Sequence, residues 1–381
     1  MSPATRAWLT LTLTPGLGPT LVARLIDHAG GVEQALDLTA AQLAEVHGIS
    51  DKGAGKHKRA IDATIQGDTL KREIDLIDKH GASLLSLDDA DYPALLKTIP
   101  SAPPLLWVRG RFDKADALSL AIVGSRRCSH YGREQADLIA NALARAGVTI
   151  VSGGAYGIDI AAHRGALRAA KAGSGRTIAV LGSGLAKPYP SEHVDVFKEI
   201  VEADGTRGAV ISEFPMTAAP RPENFLRRNR IVSGLCVGTL VVEAGRRSGA
   251  LSTARRCIDE QGRELMALPG RVDAPQSEGC HQIIREGWGT LVTGVSDILD
   301  VLGEQAPMLD AVAEIDREPS PAHAPSANGR SIVEVLDTPR SLDEIVSWTG
   351  LPASQVQTEL TMLEIRGAVS RQGGLFVKRR S

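Results

Sequence analysis

The clearest chemical pattern lies in a short basic segment, residues 221–230, of sequence RPENFLRRNR. It holds four arginines against one glutamate, with Phe225 and the amide side chains of Asn224 and Asn229 among them. Guanidinium groups bind phosphate oxygens bidentately, and an aromatic ring gives an unpaired base a stacking surface. The pattern indicates a site for a phosphate-bearing strand with exposed bases. The alternative is a solvated basic helix face paired with acidic neighbours.

Glycine-rich and polar loops follow five candidate strands: GSRR at 124–127, SGGAYGID at 152–159, GSG at 182–184, SEFP at 212–215 and EAGRRSG at 243–249. Glycine beside Ser or Arg lets backbone amides approach phosphate oxygens. The chain has neither a complete GxGxxG fingerprint nor a GxxxxGK[ST] loop, so no standard dinucleotide or P-loop site is predicted. Packing needs alone would explain one or two such loops, but not arginines at the same rim.

Candidate catalytic groups are few. Asp159 and His163 stand four residues apart on one predicted helix, and Glu213 and Glu243 follow two candidate strands, so an acid–base pair stays open. In the simpler interpretation, Asp159 is a carboxylate at a helix N-terminus near a partly buried histidine. Glu243 would then orient arginines or backbone amides. No spacing indicates a Ser-His-Asp or Cys-His arrangement.

Hydrophobic periodicity predicts the elements that carry these loops. Apolar runs at 118–123, 149–151, 177–181, 209–211, 238–242 and 264–267 alternate with amphipathic stretches. This alternation is typical of a parallel, doubly wound sheet, in which ligands bind beyond the carboxyl ends of the strands. We therefore predict an extended Rossmann-like, mostly parallel α/β domain over residues 109–303.

Two smaller units flank this domain. Residues 1–70 are predicted to form a helical domain with Gly-rich turns, similar to SAM or HhH modules, and 71–108 a connector. Those turns either present amides to a phosphate or merely permit tight helix connections. Residues 304–328, rich in Pro and Ala, are predicted to be a flexible linker. Residues 329–381 predict a winged-helix-like domain of three helices and a hairpin.

Composition limits the classes of function. The chain has 381 residues, 43% of them hydrophobic, and a formal net charge of −2, so any polyanion site must be local. Four scattered cysteines without a CxxC pair favour a reducing compartment and indicate neither zinc nor disulfides. With no signal peptide or apolar span of about 18 residues, we expect a cytoplasmic protein without membrane contact.

Six motifs, in this order, resemble the DNA-processing protein A family, also called Smf. They are GSRR at 124–127, SGGAYGIDIAAH at 152–163, LGSG with a later YP at 181–190, SEFP at 212–215, FLRRNRIVSG at 225–234 and VEAGRRSGALSTA at 242–254. The match spans about 118–290, and the flanking units resemble those of longer members. His281 stands where the family often has Asn, and Trp288 where a small residue is usual, which puts local packing in doubt more than binding.

The resemblance implies a fold that binds single-stranded DNA, forms a homodimer through the Rossmann-like domain and hands the strand to a RecA recombinase during natural transformation. It further implies a strand contact from Arg126 and phosphate contacts from the SGGA loop and the RNR segment. We expect no catalytic residue, metal or cofactor. The expected DNA-binding residues are Gly124, Ser125, Arg126, Arg127, Ser152, Gly153, Gly154, Ala155, Gly182, Ser183, Phe225, Arg227, Arg228, Asn229, Arg230, Ser248 and Gly249.

Two other functions stay open. Lysine-decarboxylase-like nucleotide hydrolases have a similar fold, but they carry PGGxGTxxE where this chain reads EAGRRSGALST from Glu243. A duplex-binding regulator would use the winged helix, yet its predicted recognition helix, 353–366, has Glu359 and Glu364 against Arg366 as the one basic residue. Both patterns favour a non-enzymatic protein that binds single strands.

Overall fold

Capping residues and glycine turns determine where the first helices begin. The computed structural model describes residues 1–171, 175–202, 205–303, 327–336, 338–365, 369–372 and 375–378. Ser2, Thr39 and Ser50 each accept a hydrogen bond from a backbone amide of the following helical turn. The helices are α1 (Pro3–Leu13), α2 (Pro19–Ala29), α3 (Val32–Asp37), α4 (Ala40–Ala44), α5 (Asp51–Gln66) and α6 (Asp68–Lys79).

One sheet of nine strands occupies the centre of the described chain, in the order β1-β2-β6-β5-β4-β3-β7-β8-β9. In this spatial order the seven strands that begin with β6 and end with β9 run parallel to one another. β1 pairs antiparallel with β2, and β2 pairs antiparallel with β6. The strands are β1 (Ser83–Ser86), β2 (Leu105–Gly110), β3 (Ser119–Val123), β4 (Thr149–Ser152), β5 (Thr177–Leu181), β6 (Gly208–Ser212), β7 (Gly238–Val241), β8 (Glu264–Ala267) and β9 (Thr290–Leu291). The predicted Rossmann-like, mostly parallel α/β fold is confirmed.

Helices follow most of the parallel strands. Those of this region are α7 (Ala94–Lys97), α8 (His130–Arg145), α9 (Ile158–Lys171), α10 (Val194–Val201), α11 (Pro222–Gly234), α12 (Gly249–Arg255), α13 (Glu278–Arg285) and α14 (Val295–Gly303). The chain runs outward from β3 through β4, β5 and β6 on one side and continues through β7, β8 and β9 on the other. The loops after β3 and β7 therefore flank the switch point of the sheet, where ligands of such folds bind.

The segment before β3 does more than connect. Residues 71–108 hold most of α6 and, in β1 and β2, two strands that extend the sheet. Trp8 and Leu25 of the N-terminal helices share a buried core with Trp107 and Leu181 of the sheet. The domain limits near residues 70 and 108 stay predictions. α6 runs through the first limit, and the shared core continues across both.

The C-terminal residues form the elements that the sequence predicts for a winged helix. Ser341 and Glu344 make a reciprocal capping box, and Gly350 ends the following helix in the left-handed conformation. The elements are α15 (Ala327–Val335), α16 (Leu342–Thr349), α17 (Ala353–Ile365), β10 (Val369–Gln372) and β11 (Leu375–Lys378). The predicted linker, 304–328, lies almost entirely outside the described residues. No described helix is long and apolar enough to cross a bilayer.

Candidate nucleic-acid interface

A cleft of about 870 Å³ opens at the switch point, at the carboxyl edge of the sheet. The loops after β3, β4 and β7 line it, together with residues of α11 and α12. The expected DNA-binding residues found in its walls are Gly124, Ser125, Arg126, Arg127, Gly153, Ala155, Phe225, Arg228, Asn229, Ser248 and Gly249. Three of the five predicted loops, those after β3, β4 and β7, thus meet at this cleft, and the role of each residue stays a prediction.

Exposed arginines stand on both sides of the cleft. Arg126 and Arg127 follow β3, and Arg246 and Arg247 follow β7; all four side chains belong to exposed residues that line the cleft. None of the four forms a salt bridge with another described residue. Their charges are available to a polyanion. Sequence reasoning quoted the loop after β7 but selected Ser248 and Gly249 from it, although its position across the switch point from β3 could have pointed to both arginines.

Phe225 supplies the aromatic surface of the cleft. Its half-buried ring packs over Gly182, where an added Cβ would lie 2.6 Å from ring atom Cδ1. The Tyr189 ring centroid is 5.7 Å away, and the Arg126 guanidinium lies 5.1 Å from the centroid of Phe225. Gly182 therefore serves the site by making room for Phe225. Its neighbour Ser183 is fully buried and does not line the cleft.

Arg227 and the two arginines of the RNR segment, Arg228 and Arg230, point in different directions. Arg227 and Arg230 both reach the buried carboxylate of Glu213, Arg230 through Nη1–Oε1 and Nη2–Oε2 contacts of 2.6 and 2.9 Å. Arg230 is 6% exposed, and neither it nor Arg227 lines the cleft. Successive residues of a helix are about 100° apart, so adjacent side chains cannot all face one ligand. This geometry does not favour a phosphate contact from Arg230.

Arg228 takes a different direction from its neighbours. It is buried, and its Nη1 donates to the backbone carbonyls of Gly153 and Val180. Burial lowers the pKa of Arg228 to about 10, while the nearby Asp159 carboxylate favours the charged form. Burial raises the pKa of Asp159, and Arg228 opposes that shift. At neutral pH the guanidinium remains charged.

Several expected site residues hold the loops in place. Ser152 Oγ donates to the Ile122 carbonyl at 2.6 Å and joins the ends of β4 and β3. Gly154 has a φ of +65°, and its carbonyl accepts a hydrogen bond from His193 Nδ1 at 2.9 Å. Asn229 Nδ2 donates to the Gly249 carbonyl at 3.4 Å. These contacts fix the shape of the cleft wall.

The candidate acid–base groups are engaged elsewhere. His163 is fully buried, with Nδ1 2.7 Å from Thr177 Oγ1, and burial lowers its pKa to about 3. Asp159 instead accepts from the Ala155 amide at 3.3 Å, so the two side chains do not act as a pair. The Glu243 carboxylate accepts from the Ser129 amide and hydroxyl at 2.8 and 2.5 Å. It orients the residue that caps α8, as the simpler interpretation of Glu243 expected.

Comparison with known proteins agrees with this geometry. The family model for DNA recombination-mediator protein A matches residues 83–303, and a DprA winged helix domain matches 316–374. Protein Smf of Synechocystis sp. is 33% identical and covers 98% of each chain. DNA processing protein A of Streptococcus pneumoniae has a similar structure, with a TM-score of 0.66, 32% identity and coverage of 79% of this chain and 98% of its own.

A second solved structure is DNA processing protein A from Helicobacter pylori, described for its single-stranded DNA binding mode. It has a TM-score of 0.51 and 27% identity, over 59% of this chain and 96% of its own. The family matches extend over the sheet, the cleft and the winged helix. They confirm the resemblance seen in the six motifs. The chain belongs to the DNA recombination-mediator protein A family.

Proposed function

We propose that this protein binds single-stranded DNA in the cleft at the switch point. The observation that carries the proposal is the set of four exposed arginines, Arg126, Arg127, Arg246 and Arg247, which flank the cleft from two loops. A net charge of −2 gives the whole chain no general attraction for DNA, so a local cluster must supply it. The Helicobacter pylori relative, described for its single-stranded DNA binding mode, supports the choice of ligand.

The aromatic surface favours a single strand over a duplex. The rings of Phe225 and Tyr189 and the Arg126 guanidinium present flat surfaces in the cleft wall. The Tyr189 ring centroid lies 5.7 Å, and the Arg126 guanidinium 5.1 Å, from the Phe225 centroid. Bases can stack on such faces only where they are unpaired and splayed from their neighbours. The arginines would then hold the phosphates while the rings take bases. Binding of this type tolerates different sequences, because every base has a π-face.

The test is an anisotropy titration of labelled oligothymidine and of a matching duplex, over a series of salt concentrations. We expect preference for the single strand, a steep loss of affinity with salt, and weaker binding by Arg126→Ala. Arg145→Ala is the matched control, because Arg145 is exposed at the end of α8, at the opposite edge of the sheet. Equal affinity for the duplex would contradict the proposal.

We also propose that the bound strand passes to a RecA-type recombinase and that two chains associate through the Rossmann-like domain. Family membership supports both steps. Addition of the protein should accelerate RecA filament formation on single strands already covered by single-strand-binding protein. Sedimentation should give a dimer for the full chain. A monomer at micromolar concentration would refute the proposed association.

The proposed role requires no catalysis. The carboxylate of Glu243, the candidate base of the nucleotide-hydrolase alternative, is bound to Ser129 and does not line the cleft. Incubation with nucleoside monophosphates should therefore release neither free base nor ribose phosphate. Release that disappears in Glu243→Ala would revive the enzyme.

A further inference from the structure

Arg228 lies in the basic segment but is placed as part of the protein interior. It is 4% exposed, and its guanidinium fills the space beside Gly153 so closely that a Cβ added there would force it to move. Nη1 donates to the carbonyls of Gly153 and Val180, the first in the loop after β4 and the second in β5. Arg228 thus links α11 to the loop that lines the cleft.

The hydrogen bond to the Gly153 carbonyl fixes the orientation of one peptide group. In a trans peptide the N–H of the next residue points opposite to the carbonyl, so the Gly154 N–H is directed away from Arg228. This N–H has no acceptor among the described residues. His193 holds the following carbonyl, that of Gly154, and the Ala155 amide donates to Asp159. The Gly153–Gly154 and Gly154–Ala155 peptides are therefore each held by a named partner. Of their N–H and C=O groups, only the Gly154 N–H has none among the described residues.

The Asp159 carboxylate offsets part of the charge of Arg228 within the protein. The Asp159 carboxylate favours the charged form of Arg228, and both side chains are buried. A buried guanidinium with an opposite charge nearby adds less to the field that a strand meets at the surface than an exposed one. It also cannot reach a phosphate without leaving the carbonyls of Gly153 and Val180 without this donor, which is costly in the interior.

We propose that Arg228 is a positioning residue that fixes the Gly153–Gly154 peptide and so holds Gly153 and Ala155, which line the cleft, in place for the strand. It would act through the backbone, whereas Arg126, Arg127, Arg246 and Arg247 would meet phosphates directly. The inference rests on the proposed binding of single-stranded DNA. It assigns to Arg228 a role different from the phosphate contact expected of the RNR segment.

The number of ions released on binding separates the two roles. Loss of a direct phosphate contact lowers the slope of log K against log salt by about 0.7 for a single strand. Loss of a positioning residue weakens binding but leaves that slope unchanged, because no phosphate loses its cation. We expect Arg228→Gln, which removes the cation, to bind oligothymidine at least about 10-fold more weakly with the wild-type slope, because one amide group cannot reproduce the guanidinium donors to both carbonyls. Arg127→Ala should lower the slope.

Gly153→Ala gives a second, charge-neutral test. The added methyl group would displace the guanidinium from the Gly153 carbonyl, so this variant should reproduce the weaker binding of Arg228→Gln with an unchanged slope. Thermal melts establish the temperature at which each variant is fully folded, and titrations are made there. A lowered slope for Arg228→Gln, or full affinity in both folded variants, would overturn the inference. Failure of the wild type to bind would instead refute the proposed function.

Discussion

Removal of two exposed arginines tests the cleft most directly. Arg246 and Arg247 belong to the loop after β7, are exposed and form no salt bridge with another described residue, so their substitution leaves no buried group unpaired. If each of the four cleft arginines meets one phosphate, the wild-type slope of log K against log salt is about −2.8 and that of Arg246→Ala/Arg247→Ala about −1.4. Raising salt from about 50 to 200 mM should weaken wild-type binding about 50-fold and variant binding about 7-fold.

The same titration contains its own refutation. The affinity of the double variant should lie far below that of the wild type at low salt and approach it as salt rises. Arg145→Ala, which removes an exposed arginine from the amino edge of the sheet, should keep the wild-type slope at every concentration. A double variant with an unchanged slope would show that these two arginines meet no phosphate. An equal effect of Arg145→Ala would show that binding depends on overall charge.

Three further predictions concern single side chains. The pKa of His163 is about 3 in the folded protein, against about 6.5 when unfolded, so only the unfolded state gains this proton as pH falls. Stability in urea should drop by about 2 kcal/mol from pH 7 to 5 on this account, and His163→Gln should remove that part of the pH dependence. Glu213→Gln should cost about 3–5 kcal/mol in urea melts because it leaves Arg230 buried without its counter-charge, whereas Glu202→Gln, at an exposed pair, should cost under about 1 kcal/mol. Phe225→Ala should weaken oligothymidine binding about 5- to 150-fold, if one base stacks on the ring, without altering the salt slope.

The sequence was most informative about the buried parallel strands. The runs at 118–123 and 177–181 are continuous and apolar because helices cover both faces of the sheet, and each agrees with a strand of the structure within one residue. β1 and β9 were missed for the opposite reason: β1 is partly exposed, and β9 has two exposed residues, so neither gives a clear hydrophobic period. Pro103 and Pro104, directly before β2, favoured a connector at that point.

Loop positions were predictable, whereas side-chain directions were not. The rule that ligands bind beyond the carboxyl ends of parallel strands identified the loops of the cleft from sequence order alone. The rule contains no information about where a given arginine of α11 points. Arg228 and Arg230 differ by two positions, about 200° around the helix, and a basic run in the sequence does not reveal which of them meets a carboxylate.

The distribution of arginines follows from the cost of burial. Most residues of α11 are buried, so guanidinium groups on its buried part must find partners inside the protein, as Arg228 and Arg230 do with backbone carbonyls and Glu213. Loops at the sheet edge carry no such constraint, and there the charges remain free for a ligand. The cations that meet the strand should therefore come from the loops after β3 and β7, on the two sides of the switch point. A strand held by both loops would have to cross the carboxyl edge of the sheet and pass over Phe225, which lies in the cleft between them.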